Sequence, residues 1–173
     1  MWRADHFIRS GLGSLMPELM HLLLQSRLHS DYNLMMLERN FLCSFESKQF
    51  MLFRDEQQRP VGFVNWCFLS APQLQHVFET RGVMPYDSWQ TKGPVLFFPE
   101  FLAPSGHAKT MVQHLRTHVF PERQALAING NALHKGSNKK VLQFSGVRCN
   151  RQRWSVEVEN MIKAFDPFSP PTT

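Results

Sequence analysis

Cysteine is scarce in this chain of 173 residues: Cys43, Cys67 and Cys149 are the only three, and no two form a CxxC pair. An odd number at wide spacing indicates neither a disulfide framework nor a zinc knuckle. Cys43 and Cys67 sit among apolar residues, where a thiol behaves as a small hydrophobe, and reduced thiols fit a cytoplasmic compartment. Long apolar runs are missing too. None approaches the ~18 uncharged residues of a membrane span. The opening "MWRADHFIRSGLGSLM" carries Asp5, Arg9 and two glycines ahead of its apolar run, which Pro17 and Glu18 then break. It does not read as a secretory leader.

Acidic residues are absent from one long stretch. Between Arg123 and Val156 there is no Asp or Glu, while Arg123, Lys135, Lys139, Lys140, Arg148, Arg151 and Arg153 all fall there. With a formal net charge of +5, this run attracts an acidic partner. Nucleic acid, an acidic protein and an anionic lipid surface satisfy the charge equally, as does a plain solvated face. Motifs that would narrow the choice are missing: there is no RNP motif, no zinc finger and no clear helix-turn-helix. His114 and His118 stand four apart, but "HLRTH" lacks the Glu of a zinc-protease helix, so metal binding is not expected.

What is present is a globular composition, 43% hydrophobic with 15 Phe, ample for one core in a chain of this length. We expect a single domain over residues 1–165 and a flexible tail over 166–173, "DPFSPPTT". Leu12, Leu15, Met16, Leu19, Leu22 and Leu23 have helical spacing, and a second helix, capped by Ser30 or Asp31, carries Leu34, Met35, Leu37, Phe41 and Leu42. "KQFMLFR" and "VGFVNWCFL" read as an antiparallel hairpin turning at "DEQQRP". A helix from near Ser70 is closed by Gly82. "VLFFPEFLA" is a strand apolar on both faces, hence central. Turn and helix follow in "PSGHAKTMVQHLRTHVF", then strands "RQALAIN" and "VLQFSGVR", and a last helix over 154–165. This order predicts an α+β (α/β-type) domain with a mixed, mostly antiparallel sheet flanked by helices. An acetyltransferase-like sheet fits the same description.

Several residues invite chemistry. His29 ends the first helical segment, with Ser26 three residues before it on what would be one helix face; an unperturbed histidine suits general base work, and a surface or capping role is the plainer alternative. Glu100 lies between apolar residues in "FFPEFLA", where a carboxylate is costly unless paired or facing a cleft, and could orient a histidine. Ser105, Gly106 and His107 form a turn that opens a helix and could hold a phosphate on backbone N–H groups. Trp66 and Trp89 read as packing residues.

Taken in order, "SRLHSDYNLMMLERNFL", "KQFMLFRDEQQRPVGFVNWCFLS" and "FFPEFLAPSG" resemble the toxin-activating lysine acyltransferases that mature RTX haemolysins and cytolysins. The likeness covers most of residues 15–148. It implies a GNAT-like fold and transfer of a fatty acyl group from acyl carrier protein to internal lysines of an RTX protoxin in the bacterial cytoplasm. The co-substrate is the 4'-phosphopantetheine thioester; no cofactor is bound, no nucleic acid is involved, and a homodimer is possible within the family. The resemblance makes His29 the catalytic base, places Glu100 where the family usually has Asp, and gives Ser26 and Asn40 supporting roles. Ser105, Gly106, His107, Lys139, Lys140 and Arg148 are the expected contacts to acyl carrier protein and its pantetheine arm. Direct transfer and an acyl-His29 intermediate both remain open at this stage. The rival readings are a basic, non-catalytic binding module, and a thioesterase that uses Ser26 or Cys43 with His29.

Overall fold

The computed structural model describes residues 3–5, 12–30, 32–90, 92–130, 141–150 and 154–166. Strand β1 (Arg3–Asp5) precedes helix α1 (Leu12–Leu24) and a 3₁₀ turn, Arg27–His29. Helix α2 (Leu34–Leu37) passes through a π turn, Glu38–Leu42, into α3 (Cys43–Glu46). Strands β2 (Phe50–Arg54), β3 (Pro60–Asn65) and β4 (Cys67–Leu69) follow, then α4 (Ala71–Glu79) and a 3₁₀ turn, Tyr86–Trp89. Next come β5 (Val95–Phe97), β6 (Phe101–Leu102), α5 (Ala108–His114) and a second π turn, Leu115–Val119. Strands β7 (Gln124–Ile128) and β8 (Val141–Ser145) and helix α6 (Val156–Phe165) complete the described chain.

The strands form two four-stranded sheets, in the orders β1-β2-β3-β6 and β4-β5-β7-β8. All pairings are antiparallel except β5 with β7, which are joined by the α5 crossover that a parallel pair requires. The expected α+β class, mixed sheet, β2–β3 hairpin and central β5 are all present. Gly82 closes α4 with φ +111°, and its N–H donates to the Val77 carbonyl at 2.8 Å. Two expectations need correction. "VGFVNWCFL" and "VLFFPEFLA" are not single strands. Each contributes one strand to each sheet, and the sheets fork between Asn65 and Cys67 on one side and Phe97 and Phe101 on the other. Pro99 has no N–H and interrupts the ladder there. The pairing of β1 with β2 was not foreseen from sequence.

Side-chain alternation assigns the strands of the first sheet to two layers. Leu52 and Phe63 face α1 and α3, packing with Leu19, Leu22, Phe41 and Phe45. Met51 and Val64 face the other way, toward Met111 and Leu115. Helices α4 and α6 cover the second sheet through Leu74, Val77, Val158 and Ile162. Asp166, the first residue of the expected tail, is buried and accepts the Val141 N–H at 2.8 Å; residues 167–173 lie outside the described residues. Among the described residues, no helix is long and apolar enough to cross a membrane.

Candidate active site

Helix α1 stops at Leu24, just past its last spaced leucine and short of the expected end at His29, and Ser26 is extended (φ −99°, ψ 108°). Ser26 and His29 therefore do not share an α-helical face. They bracket a 3₁₀ turn, in which residues three apart eclipse, and this brings Ser26 Oγ to 2.6 Å from His29 Nδ1. The next helix is capped by Asn33, whose Oδ1 accepts the Met36 N–H at 2.9 Å, and not by Ser30; Asp31 lies outside the described residues. Ser30 Oγ instead donates back to the Arg27 carbonyl.

The other ring nitrogen of His29, Nε2, lies 3.0 Å from Glu100 Oε2, with side chains only 7% and 4% exposed. Glu100 leaves the first sheet at the fork. Its N–H donates not to a strand but to the side-chain Oδ1 of Asn65 at 2.9 Å, and its carbonyl accepts the Asn65 N–H at 3.2 Å. The Asn65 amide also donates to the Asn40 carbonyl at 2.5 Å. Asn40 sits in the π turn, a wide turn often found at functional sites. Its Nδ2 donates to Glu100 Oε1 at 2.7 Å and to the Gly82 carbonyl at 3.1 Å, and its Oδ1 accepts the Met84 N–H. Tyr32 donates its hydroxyl to Glu100 Oε1 at 2.8 Å.

Charge and tautomer follow from these partners. Burial, reinforced by the adjacent Glu100 charge and the hydrogen bond to it, holds the Tyr32 phenol far above its ordinary range, so it stays an O–H donor. With an amide N–H and a phenol O–H aimed at Oε1, Glu100 acts as an acceptor, and Oε2 takes the third hydrogen bond, from His29 Nε2–H. This network assigns the His29 proton to Nε2 and leaves the Nδ1 lone pair facing Ser26 Oγ. The imidazole edge is held by Tyr32, with ring centroids 4.7 Å apart at 61°, and by Phe41 at 6.3 Å.

The structure brings together Ser26, His29, Asn40 and Glu100, and adds Tyr32 and Asn65, which sequence reasoning missed. Tyr32 had a signal: it stands three residues after His29, as Ser26 stands three before. Asn65, like Glu100, is a polar residue inside an apolar strand. Ser105, Gly106 and His107 form the turn after β6; Gly106 adopts φ +82°, and both it and Ser105 are exposed. Arg148 is exposed and pairs with Glu122 at 3.4 Å, an acid just outside the acid-free run. Lys139 and Lys140, with Lys135, Arg151 and Arg153, lie outside the described residues. The His114 and His118 rings stack at 4.8 Å. Trp66 packs on Phe120, and Trp89 is buried with its Nε1–H donated to the Arg39 carbonyl. The Cys43 thiol is raised, first by burial and then by Glu46 and Glu38, and packs against the core of the second sheet.

A buried carboxylate that orients a histidine, whose free nitrogen faces a hydroxyl, is the arrangement of a site for proton transfer to and from a nucleophile. The chain belongs to the HlyC family, the RTX toxin acyltransferases, whose model matches residues 12–145. It is similar to the lysine-acyltransferase RtxC of Vibrio cholerae serotype O1, 35% identical over 96 residues, which is 55% of this chain and 61% of that protein's length. The leukotoxin-activating lysine-acyltransferase LktC of a Pasteurella haemolytica-like species is 23% identical over 140 residues, covering 80% of this chain and 81% of its own. The RTX-I toxin-activating lysine-acyltransferase ApxIC of Actinobacillus pleuropneumoniae is 25% identical over 127 residues, 73% and 71% of the two chains.

Proposed function

We propose that this chain transfers a fatty acyl group from acyl carrier protein to internal lysines of an RTX protoxin in the cytoplasm, and so activates the toxin. The observation that carries this reading is the hydrogen-bonded line Ser26–His29–Glu100, in a member of a family of acyltransferases whose named relatives act on lysine.

A free lysine, with a pKa near ~10.4, is mostly protonated at neutral pH and must lose a proton to attack a thioester. His29 Nδ1 carries the lone pair that takes it, either directly or through Ser26, whose hydroxyl passes its own proton to Nδ1 as it receives one from the amine. Glu100 stabilises the imidazolium that forms. The amine nitrogen bonds to the acyl carbon, the carbon–sulfur bond breaks, the departing pantetheine thiolate takes the proton from His29, and the second proton shed by the new amide nitrogen leaves through the freed His29 to solvent. General base catalysis contributes roughly 10²–10⁴-fold, and placing the thioester beside the amine contributes more.

The same 2.6 Å contact supports a second reading, in which Ser26 is the nucleophile and holds the acyl group before lysine accepts it. An enzyme that stopped there and let water in would be a thioesterase. Cys43 is a poor nucleophile for that chemistry, because its raised pKa keeps it a thiol. Acyl carrier proteins are acidic, so the run containing Lys139, Lys140 and Arg148 would steer the donor, and the Ser105–His107 turn would receive its phosphate. The test is mass analysis of a candidate RTX protoxin incubated with the enzyme and acyl carrier protein charged with several chain lengths. Fatty amide on internal lysines, lost in His29→Ala, supports the transferase. Free fatty acid with unmodified lysines supports the thioesterase. Donor use indifferent to Lys139→Glu with Lys140→Glu removes the steering role.

A further inference from the structure

Glutamate has one more rotatable bond than aspartate, so holding its carboxylate against a histidine requires that both oxygens be fixed. We propose that Tyr32 is the positioning residue that makes Glu100 a competent partner for His29: its hydroxyl, with the Asn40 amide, saturates Oε1 and reserves Oε2 for the imidazole. The proposal rests on the acyl-transfer reading for its kinetic consequence, but not for its geometry. Tyr32 is well placed for this role. Its O–H reaches Glu100 Oε1 at 2.8 Å, and its ring lies edge-on to His29 at 4.7 Å and to Phe41 at 6.3 Å. One side chain therefore sets the carboxylate, through its oxygen, and the tilt of the imidazole, through its ring. Asn40 cannot do this alone. It reaches the same oxygen from the π turn eight residues further along the chain, but its amide also serves the Gly82 carbonyl and it has no ring to set the imidazole. Without the phenol, Oε1 keeps one donor in place of two, the carboxylate is held less tightly against His29, and the imidazole's preference for the Nε2–H tautomer weakens.

Tyr32→Phe removes the hydroxyl and keeps the ring. Long-range proton–nitrogen NMR of His29 should show one Nε2–H tautomer in the wild type and a shift toward a mixture in Tyr32→Phe. Acyl transfer should lose about 5–30-fold in kcat, with KM for the acyl carrier donor and the protoxin changed less than twofold. In a Glu100→Ala background, Tyr32→Phe should add no further loss. An unchanged His29 tautomer in Tyr32→Phe overturns the proposal, and so does an equal loss in the Glu100→Ala background. If the wild type transfers no acyl group, the functional reading fails while the NMR comparison still decides the role of Tyr32. Should Tyr32→Phe not fold, the chain's two tyrosines allow a second probe. In a Tyr86→Phe chain labelled with 3-fluorotyrosine, the single fluorine line at position 32 should move on Glu100→Gln; a line that stays put also overturns the proposal.

Discussion

His29 Nε2 and Glu100 Oε2 stand 3.0 Å apart although 71 residues separate them in the chain. The contact sets which nitrogen of the imidazole carries the proton, and so which is free to accept one. Glu100→Gln keeps the shape but lets an amide N–H face Nε2, which would turn the tautomer round and place N–H against Ser26. We expect a loss of roughly 10²–10⁴-fold in kcat, with the folded state retained. Single-turnover acylation by the purified variant, alongside its circular dichroism, measures both.

The Asn40 side chain makes three hydrogen bonds, as many as Glu100. It holds Glu100 and the Gly82 carbonyl, and receives the Met84 N–H, at 1% exposure. Asn40→Leu takes this partner from the Gly82 carbonyl and the Met84 N–H and strips Glu100 of one of its three donors. Stability should fall by about 2–4 kcal/mol, along with activity. Urea unfolding checks the first figure. A change below half a kilocalorie would mean that water replaces the amide.

Tyr32 links stability to alkaline pH. Its folded-state pKa is raised, chiefly by burial, so above about pH 10 an unfolded chain releases a proton that the native one retains. The unfolded state then binds fewer protons, and stability falls as pH rises. Between pH 10 and 11, the slope of unfolding free energy against pH should be less steep in Tyr32→Phe than in the wild type, by up to about 1.4 kcal/mol per pH unit. Equal slopes would show that this phenol ionises normally in the native protein.

The three thiols should separate by reactivity. Cys67 is fully buried and its thiol is pushed well up by that burial; Cys43 is partly exposed but also raised. Cys149 is partly exposed in the described chain. Native iodoacetamide labelling at pH 8, followed by peptide mass analysis, should modify Cys149 first, Cys43 slowly and Cys67 only on unfolding. The proposed transfer uses no thiol, so alkylated Cys149 should leave activity within twofold.

Gly93 lies where a Cβ would run into the backbone of Leu69 and Ser70, which cannot swing aside as a side chain would. The Gly93 N–H also donates to the Phe68 carbonyl at 2.9 Å. Gly93→Ala should destabilise by about 1–3 kcal/mol through overpacking beside β4. A melting temperature matching the wild type would refute this.

Much of the architecture was legible because burial has a period. The leucines of α1 and the alternation in β2 and β3 announce their faces. The fork was not legible, because "VNWC" and "FFPEF" are largely apolar and continue the runs on either side, which hides where one sheet ends. Only Pro99, and the two polar residues Asn65 and Glu100, mark it. In the site, His29 and Glu100 could be named from residue type, Ser26 from its spacing to His29, and Asn40 from resemblance. The reason Ser26 reaches His29 was misread, since an α-helix and a 3₁₀ turn both bring residues three apart together. Tyr32 escaped notice because its partner lies 68 residues away.

The fork also bears on how the protein acquires activity. The site draws on residues 26, 29, 32, 40, 65 and 100, and Glu100 can reach its partners only after β3 has paired with β6 and the two sheets have parted at Asn65. Such long-range closures come late and slowly compared with helix formation. Refolding chains should therefore regain helical signal well before they regain transfer. In a newly made chain, the first third carries the histidine but has to wait for a carboxylate encoded much further along.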